Sequence, residues 1–192
     1  DYERKKPGVR YDLFIKSDLH SFLVDGLKKL SKKNLDISWK KYCDTLKDRF
    51  TPYEAIAEVK ENERVCMYYF WKKFSQLEPE DTIIALGNNT AICAKLQIGI
   101  KNEKQRVLAN NNCGSMGYDI PCALGAAVAT KKEVILVTGD GSFMMNLQEL
   151  QTIRHNKLPV KIIVFENDGY NAVRQTSKNF FNGFEVGCSN ES

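Results

Sequence analysis

Histidine is scarce in this chain, with only His20 and His155, and the six cysteines (Cys43, Cys66, Cys93, Cys113, Cys122 and Cys188) include no C-x-x-C pair. Structural zinc sites draw on paired Cys and His at short spacing, so no zinc centre is expected, and reduced thiols are expected in place of a disulfide framework. Long apolar runs are missing too. None comes near the ~20 residues that span a bilayer, which argues against a membrane role. The start, Asp1-Tyr2-Glu3-Arg4-Lys5-Lys6, has no apolar signal-peptide core, so a cytoplasmic location is the expectation. There is no basic stripe interleaved with stacking aromatics. The net charge of +4 comes from scattered doublets such as Lys28-Lys29, Lys32-Lys33, Lys40-Lys41 and Lys131-Lys132, so no nucleic-acid partner is expected. No G-x-x-x-x-G-K-[ST] motif occurs, and Gly139-Asp140-Gly141 has Met144 where a dinucleotide fingerprint needs its third glycine, which argues against a nucleotide-binding module.

What the 192 residues do contain is a globular composition, 43% hydrophobic and 27% charged, enough for one well-packed domain and part of another. The chain is charged and helical in flavour up to about residue 80. Beyond that point apolar runs alternate with Gly-marked turns, which places a domain boundary there. Tyr11-Asp12-Leu13-Phe14-Ile15 predicts a short strand, and Leu19, Phe22, Leu23, Leu27 and Leu30 form the apolar stripe of a helix starting near Ser17. Thr51-Pro52-Tyr53-Glu54 offers an N-cap, a first-position proline and an acidic third position for another helix. Tyr68, Tyr69, Phe70, Trp71 and Phe74 are expected in a core or a subunit interface.

Thr82-Ile83-Ile84-Ala85-Leu86 reads as a strand ending at Gly87-Asn88-Asn89-Thr90, with a helix following to about Leu96. Gly114-Ser115-Met116-Gly117 precedes a helix of small residues, slim enough to lie close to a sheet. Val134-Ile135-Leu136-Val137-Thr138 is apolar on both faces, as in a central parallel strand, and ends at Gly139-Asp140-Gly141-Ser142. One helix with Met144, Leu147, Leu150 and Ile153 then leads through Pro159 to a strand over residues 160–165, which ends at Glu166-Asn167-Asp168-Gly169. The expected fold is α/β, a parallel sheet flanked by helices, with a helical N-terminal extension.

A right-handed crossover brings the carboxyl ends of two parallel strands to one edge of the sheet, where α/β proteins bind ligands. Asp140 and Asn167 therefore converge, although an Asp-Gly after a strand is by itself a common turn signal. One carboxylate and one amide oxygen suit Mg²⁺, a hard cation that fills its shell with phosphate oxygens and water, and the Gly169 carbonyl can add a third protein ligand. Gly139 and Gly141 allow close approach of an anion, and Ser142 can cap the following helix.

The series Gly139-Asp140-Gly141-Ser142, Asn146-Leu147-Gln148-Glu149-Leu150, Pro159 and Asn167-Asp168-Gly169-Tyr170 resembles the fingerprint of the thiamine diphosphate-dependent enzymes, a GDG followed at a set interval by N-N. Glu166 stands where the first Asn of that pair is usual, while the second, the family's metal ligand, is kept as Asn167. The resemblance runs from about residue 80 to 187 and is to the acetolactate synthase, pyruvate oxidase and 2-oxo acid decarboxylase branch. It implies the thiamine diphosphate-binding fold, with Asp140, Asn167 and the Gly169 carbonyl on Mg²⁺. It also implies that Met116 wedges between the cofactor rings, that the Gly114 carbonyl and the Met116 amide bond the aminopyrimidine, and that Gly87-Asn88-Asn89 binds the diphosphate. Residues 1–35 then read as the tail of the family's middle domain, 36–80 as a helical linker and 81–192 as the cofactor-binding domain, incomplete at its C-terminus.

In the family a glutamate on an N-terminal pyrimidine-binding domain, usually of a neighbouring subunit, activates the cofactor, and nothing in this sequence corresponds to it. The expectation is therefore the C-terminal part of a homodimeric or homotetrameric enzyme, inactive alone. Such an enzyme decarboxylates a 2-oxo acid and transfers the product to a second carbonyl. Thr176 or a neighbour stands where acetolactate synthases carry a Trp, so a non-oxidative decarboxylase is the alternative.

Overall fold

The computed structural model describes residues 2–8, 10–30, 37–50, 64–88 and 90–189, and the chain divides into two units, Asp1–Arg49 and Phe50–Ser192. The expected helix start at Thr51-Pro52-Tyr53-Glu54 lies outside the described residues, as does Asn89.

The first unit holds helices α1 (Leu19–Leu30) and α2 (Ser38–Arg49). Asp18 caps α1: its carboxylate accepts the Ser21 amide at 3.1 Å, as an N-cap residue does for the third helical position. The apolar stripe of α1 is as expected in register, and none of its residues is buried. The expected strand over residues 11–15 is not formed. Among the described residues it lies outside the one sheet, and a short apolar run cannot make a strand without a neighbour to take its backbone hydrogen bonds.

In the second unit, α3 (Met67–Leu77) precedes four strands, β1 (Ile83–Leu86), β2 (Arg106–Ala109), β3 (Val134–Gly139) and β4 (Val160–Phe165), paired all-parallel in the order β2-β1-β3-β4. Burial follows this order. The central strands β1 and β3 are buried at every position, which is why both read as unbroken apolar runs, whereas the edge strands β2 and β4 are only partly covered. No strand is expected from the sequence at β2, whose four residues RVLA carry no period of their own.

Alternate residues of β1 feed two apolar clusters. Ile84 and Leu86 pack with Trp71 of α3 and with Ala91 and Ala94 of α4 (Thr90–Ile98). On the other face, Ile83 and Ala85 pack with Ala123 and Ala127 of α5 (Asp119–Thr130) and Ile153 of α7 (Glu149–His155). The sheet therefore lies between two helical layers. The β3-to-β4 connection holds two short helices, α6 (Asp140–Met144) and α7, where one was expected. Residues 145–148 turn between them, with the Asn146 side-chain amide committed to the Gly117 carbonyl at 2.6 Å. The last described helix, α8 (Asn171–Phe180), follows β4.

Trp71 is fully buried and donates its indole N–H to the Ala91 carbonyl at 2.9 Å. Beside it the Lys95 ammonium lies 5.1 Å from the indole ring centre and 3.5 Å from Glu78 Oε1. The two side chains are 1% and 0% exposed, so the ion pair is sealed inside the helix layer, and neither Glu78 oxygen has a hydrogen-bond partner among the described residues.

Candidate functional site

The parallel order places the ends of β1, β3 and β4 along one edge, and a cavity of about 280 Å³ opens there. Asp140, first residue after β3, is the hub. Its Oδ1 accepts the Gly141 amide at 2.7 Å, and its Oδ2 accepts the amides of Asn167 at 3.0 Å and Gly169 at 2.8 Å. Burial pushes the Asp140 carboxyl up, but the Asn167, Gly169 and Gly141 amides, with a smaller contribution from the Glu166 side chain, outweigh it and hold it below the ordinary carboxylate value. Asp140 is thus kept as an acceptor aimed at the loop after β4.

That loop is turned by three successive left-handed residues, Asp168 (φ 65°), Gly169 (φ 82°) and Tyr170 (φ 39°). Only Gly takes this conformation without cost, so two of the three are strained, a feature concentrated at functional sites. Contacts on both sides hold the turn: Arg64 bonds the Asp168 carboxylate at 2.5 Å, Glu166 accepts the Asp168 amide at 2.7 Å, and Arg174 of α8 donates to the Asn167 carbonyl at 2.5 Å. The Asn167 side-chain oxygen accepts the Asn171 amide at 3.3 Å.

The loop before α5 joins the same edge. Met116 lines the cavity, and a Cβ added at Gly141 would stand 2.9 Å from Tyr170 Cε1 and 3.2 Å from Met116 Cε. Gly141 is therefore required by the packing of Tyr170 and Met116 over it. Ser142 does not cap α6; its hydroxyl accepts the Gly117 amide at 2.8 Å and ties the two loops together. The Asn88 side chain donates to the Gly114 carbonyl.

Of the residues singled out in the sequence, Asn88, Met116, Gly139, Asp140, Gly141, Ser142, Asn167 and Tyr170 line the cavity. Gly87, Gly114 and Gly169 are outside its lining, each hydrogen-bonded: Gly87 to Val137, Gly114 to Asn110 and Asn88, Gly169 to Asp140. Ser115 is exposed and outside the lining. Cys93, Asn171, Ala172 and Val173 line the cavity without having been anticipated. The last three open α8 and follow directly from the strand-turn-helix pattern; nothing in the sequence around Cys93 marks it. Among the described residues no three His, Cys, Asp or Glu side chains converge as a metal site, and the Asp140 set has the different chemistry of one carboxylate, one amide and one backbone carbonyl.

Residues 85–192 match the sequence family described as thiamine pyrophosphate enzyme, C-terminal TPP binding domain. The chain belongs to this family. Its sheet and flanking helices are the TPP-binding α/β fold, and the Asp140 cavity lies inside the matched residues. The chain is 30% identical over 149 residues to the acetolactate synthase isozyme 2 large subunit of Escherichia coli (strain K12), covering 74% of this chain and 26% of that protein. It is 32% identical over 183 residues to the chloroplastic acetolactate synthase 2 of Zea mays, covering 93% and 28%. The chain thus spans little more than a quarter of either relative. Among solved structures it is similar to the thiamine diphosphate-dependent 4-hydroxybenzoylformate decarboxylase of Rhodococcus jostii RHA1, with a TM-score of 0.58 and 24% identity over 70% of this chain and 26% of that one, a likeness of fold. No helix among the described residues is long and apolar enough to cross a membrane.

Proposed function

We propose that this chain binds the diphosphate and metal of thiamine diphosphate in an enzyme that decarboxylates a 2-oxo acid and transfers the product to a second carbonyl, as acetolactate synthases do. The observation that carries this reading is the meeting of Asp140 with the Asn167 and Gly169 amides at the carboxyl edge of the sheet. The donor set fits Mg²⁺, because the Asp140 carboxylate, the Asn167 side-chain oxygen and the Gly169 carbonyl are all hard oxygens. These three would hold the cation. When bound, thiamine diphosphate supplies the electron sink for decarboxylation. The chain's own part is orientation: Asp140 holds the turn after β4, Asn88 holds the Gly114 carbonyl, and Met116 with Tyr170 forms an apolar wall over Gly141. The reading is tested by 2-oxo acid consumption in the full-length protein, expected to require thiamine diphosphate and Mg²⁺ together; turnover without either overturns it.

Met116→Ala in the full-length protein is expected to lower kcat by on the order of 10- to 100-fold, as loss of orientation does, while Mg²⁺ affinity stays within about threefold. Equal losses in both would argue against a wall that orients the cofactor rings. The chain on its own is expected to consume no pyruvate, since the family's activating glutamate has no counterpart in its sequence. Turnover by the chain alone would refute the need for a pyrimidine-binding domain. Phe180, Phe181 and Phe184 are 77%, 66% and 79% exposed, which supports a covering partner in a homodimer or homotetramer. Thr176 in place of a Trp favours the second reading, a simple decarboxylase; release of an aldehyde instead of a coupled product would select it.

A further inference from the structure

Beneath the cavity lies a buried carboxylate with no part in the contacts just described. Asp119 opens α5 and is fully buried, in a first-turn position that suits an acidic side chain. Each oxygen has its own partner: Oδ1 accepts the Ile120 amide at 2.9 Å, and Oδ2 accepts the Thr138 hydroxyl. A carboxylate is costly to bury unless hydrogen-bonded, and the flanking core is apolar, so a hydrophobic side chain would serve packing alone better.

The location gives the reason. Thr138 immediately precedes Gly139-Asp140, Asp119 follows Gly117 by two residues, and a Cβ at Gly87 would stand 2.5 Å from both Asp119 Oδ2 and Thr138 Oγ1. Three loops therefore meet at one hydrogen bond: the Gly87-Asn88 turn, the 114–117 loop and the 139–142 turn. A second tie joins the last two nearer the cavity, from the Gly117 amide to Ser142 Oγ at 2.8 Å.

We propose that Asp119 is a positioning residue of the cofactor site, setting the relative height of these three loops through Thr138 without touching the cofactor. The proposal rests on the thiamine diphosphate reading above. It predicts a loss of affinity that follows the hydroxyl at position 138 and is separable from general stability.

The test is calorimetric titration of the full-length protein with thiamine diphosphate at saturating Mg²⁺, beside its unfolding midpoint without cofactor. Thr138→Val leaves Asp119 Oδ2 buried without its donor and is expected to weaken binding about tenfold or more. Thr138→Ser restores the hydroxyl and is expected to stay within about threefold of the parent. Asp119→Asn, which offers one oxygen for two donors, should fall between them, and it carries the test if Thr138→Val does not fold. Binding by Thr138→Val or Asp119→Asn equal to the parent's, with only the cofactor-free midpoint lowered, overturns the proposal alone. A parent protein that binds no thiamine diphosphate overturns the cofactor reading and this one with it.

Discussion

Asp140→Ala is expected to abolish the rise in melting temperature that Mg²⁺ and thiamine diphosphate together give the full-length protein. A ligand at 100 times its Kd stabilises the folded state by about 2.7 kcal/mol, and that increment should vanish when the only carboxylate of the proposed metal set is gone. The variant's baseline should fall as well, because Gly141, Asn167 and Gly169 lose the acceptor of their amides, and each stranded N–H costs about 1–3 kcal/mol. The decisive quantity is therefore the ligand-induced shift within each protein, not its absolute melting temperature. Asp140→Asn separates the two effects, since it keeps one acceptor oxygen but removes the anionic ligand: the baseline should partly recover while the shift stays lost. A shift in Asp140→Ala equal to that of the parent would sink the metal assignment.

The largest effect on stability is expected from Lys95→Ala, a loss of about 3–5 kcal/mol, the usual consequence of leaving one member of a buried ion pair without its partner. Glu78 makes this case severe. Its side chain is 0% exposed, and among the described residues Lys95 is the one cation paired with it. Lys95 also gives up its place over the Trp71 ring, whose N–H bond to Ala91 helps join α3 to α4. Replacing both members, as Glu78→Leu with Lys95→Met, should recover most of the loss, because an apolar pair of similar size carries no desolvation penalty. Urea denaturation midpoints of the two single variants and the double variant complete the cycle. A Lys95→Ala loss below about 1 kcal/mol, the size of an exposed pair, would show that water reaches Glu78.

Much of the candidate site's edge is legible from the chain alone, and for a local reason. A central parallel strand is covered on both faces, so β1 and β3 appear as unbroken apolar runs, and the residues directly after β3 and β4 must lie on the ligand-binding edge. Asp140 and Asn167 follow from that. Residues 11–15 show the limit of the same signals, since the apolar run Leu13-Phe14-Ile15 says nothing about whether a neighbouring strand exists. The single helix expected after β3 divides because Asn146 is drawn to Gly117, 29 positions earlier, a partner no helical period can indicate.

By itself the sequence determined the strands with two covered faces, the helix register of α1, and the order in which the glycine turns, Met116, Asp140 and Asn167 arrive along the chain. Only the tertiary structure decided the rest: the place of β2 at the sheet edge, the crowding of Tyr170 and Met116 over Gly141, the sealed Glu78 and Lys95 pair, and the bond of Asp119 to Thr138 beneath three loops. Periodicity and turn chemistry act over a few residues and leave their mark in order along the chain. The energy of a buried polar contact depends on what surrounds it after folding, and that environment is assembled from segments whose proximity no local pattern encodes.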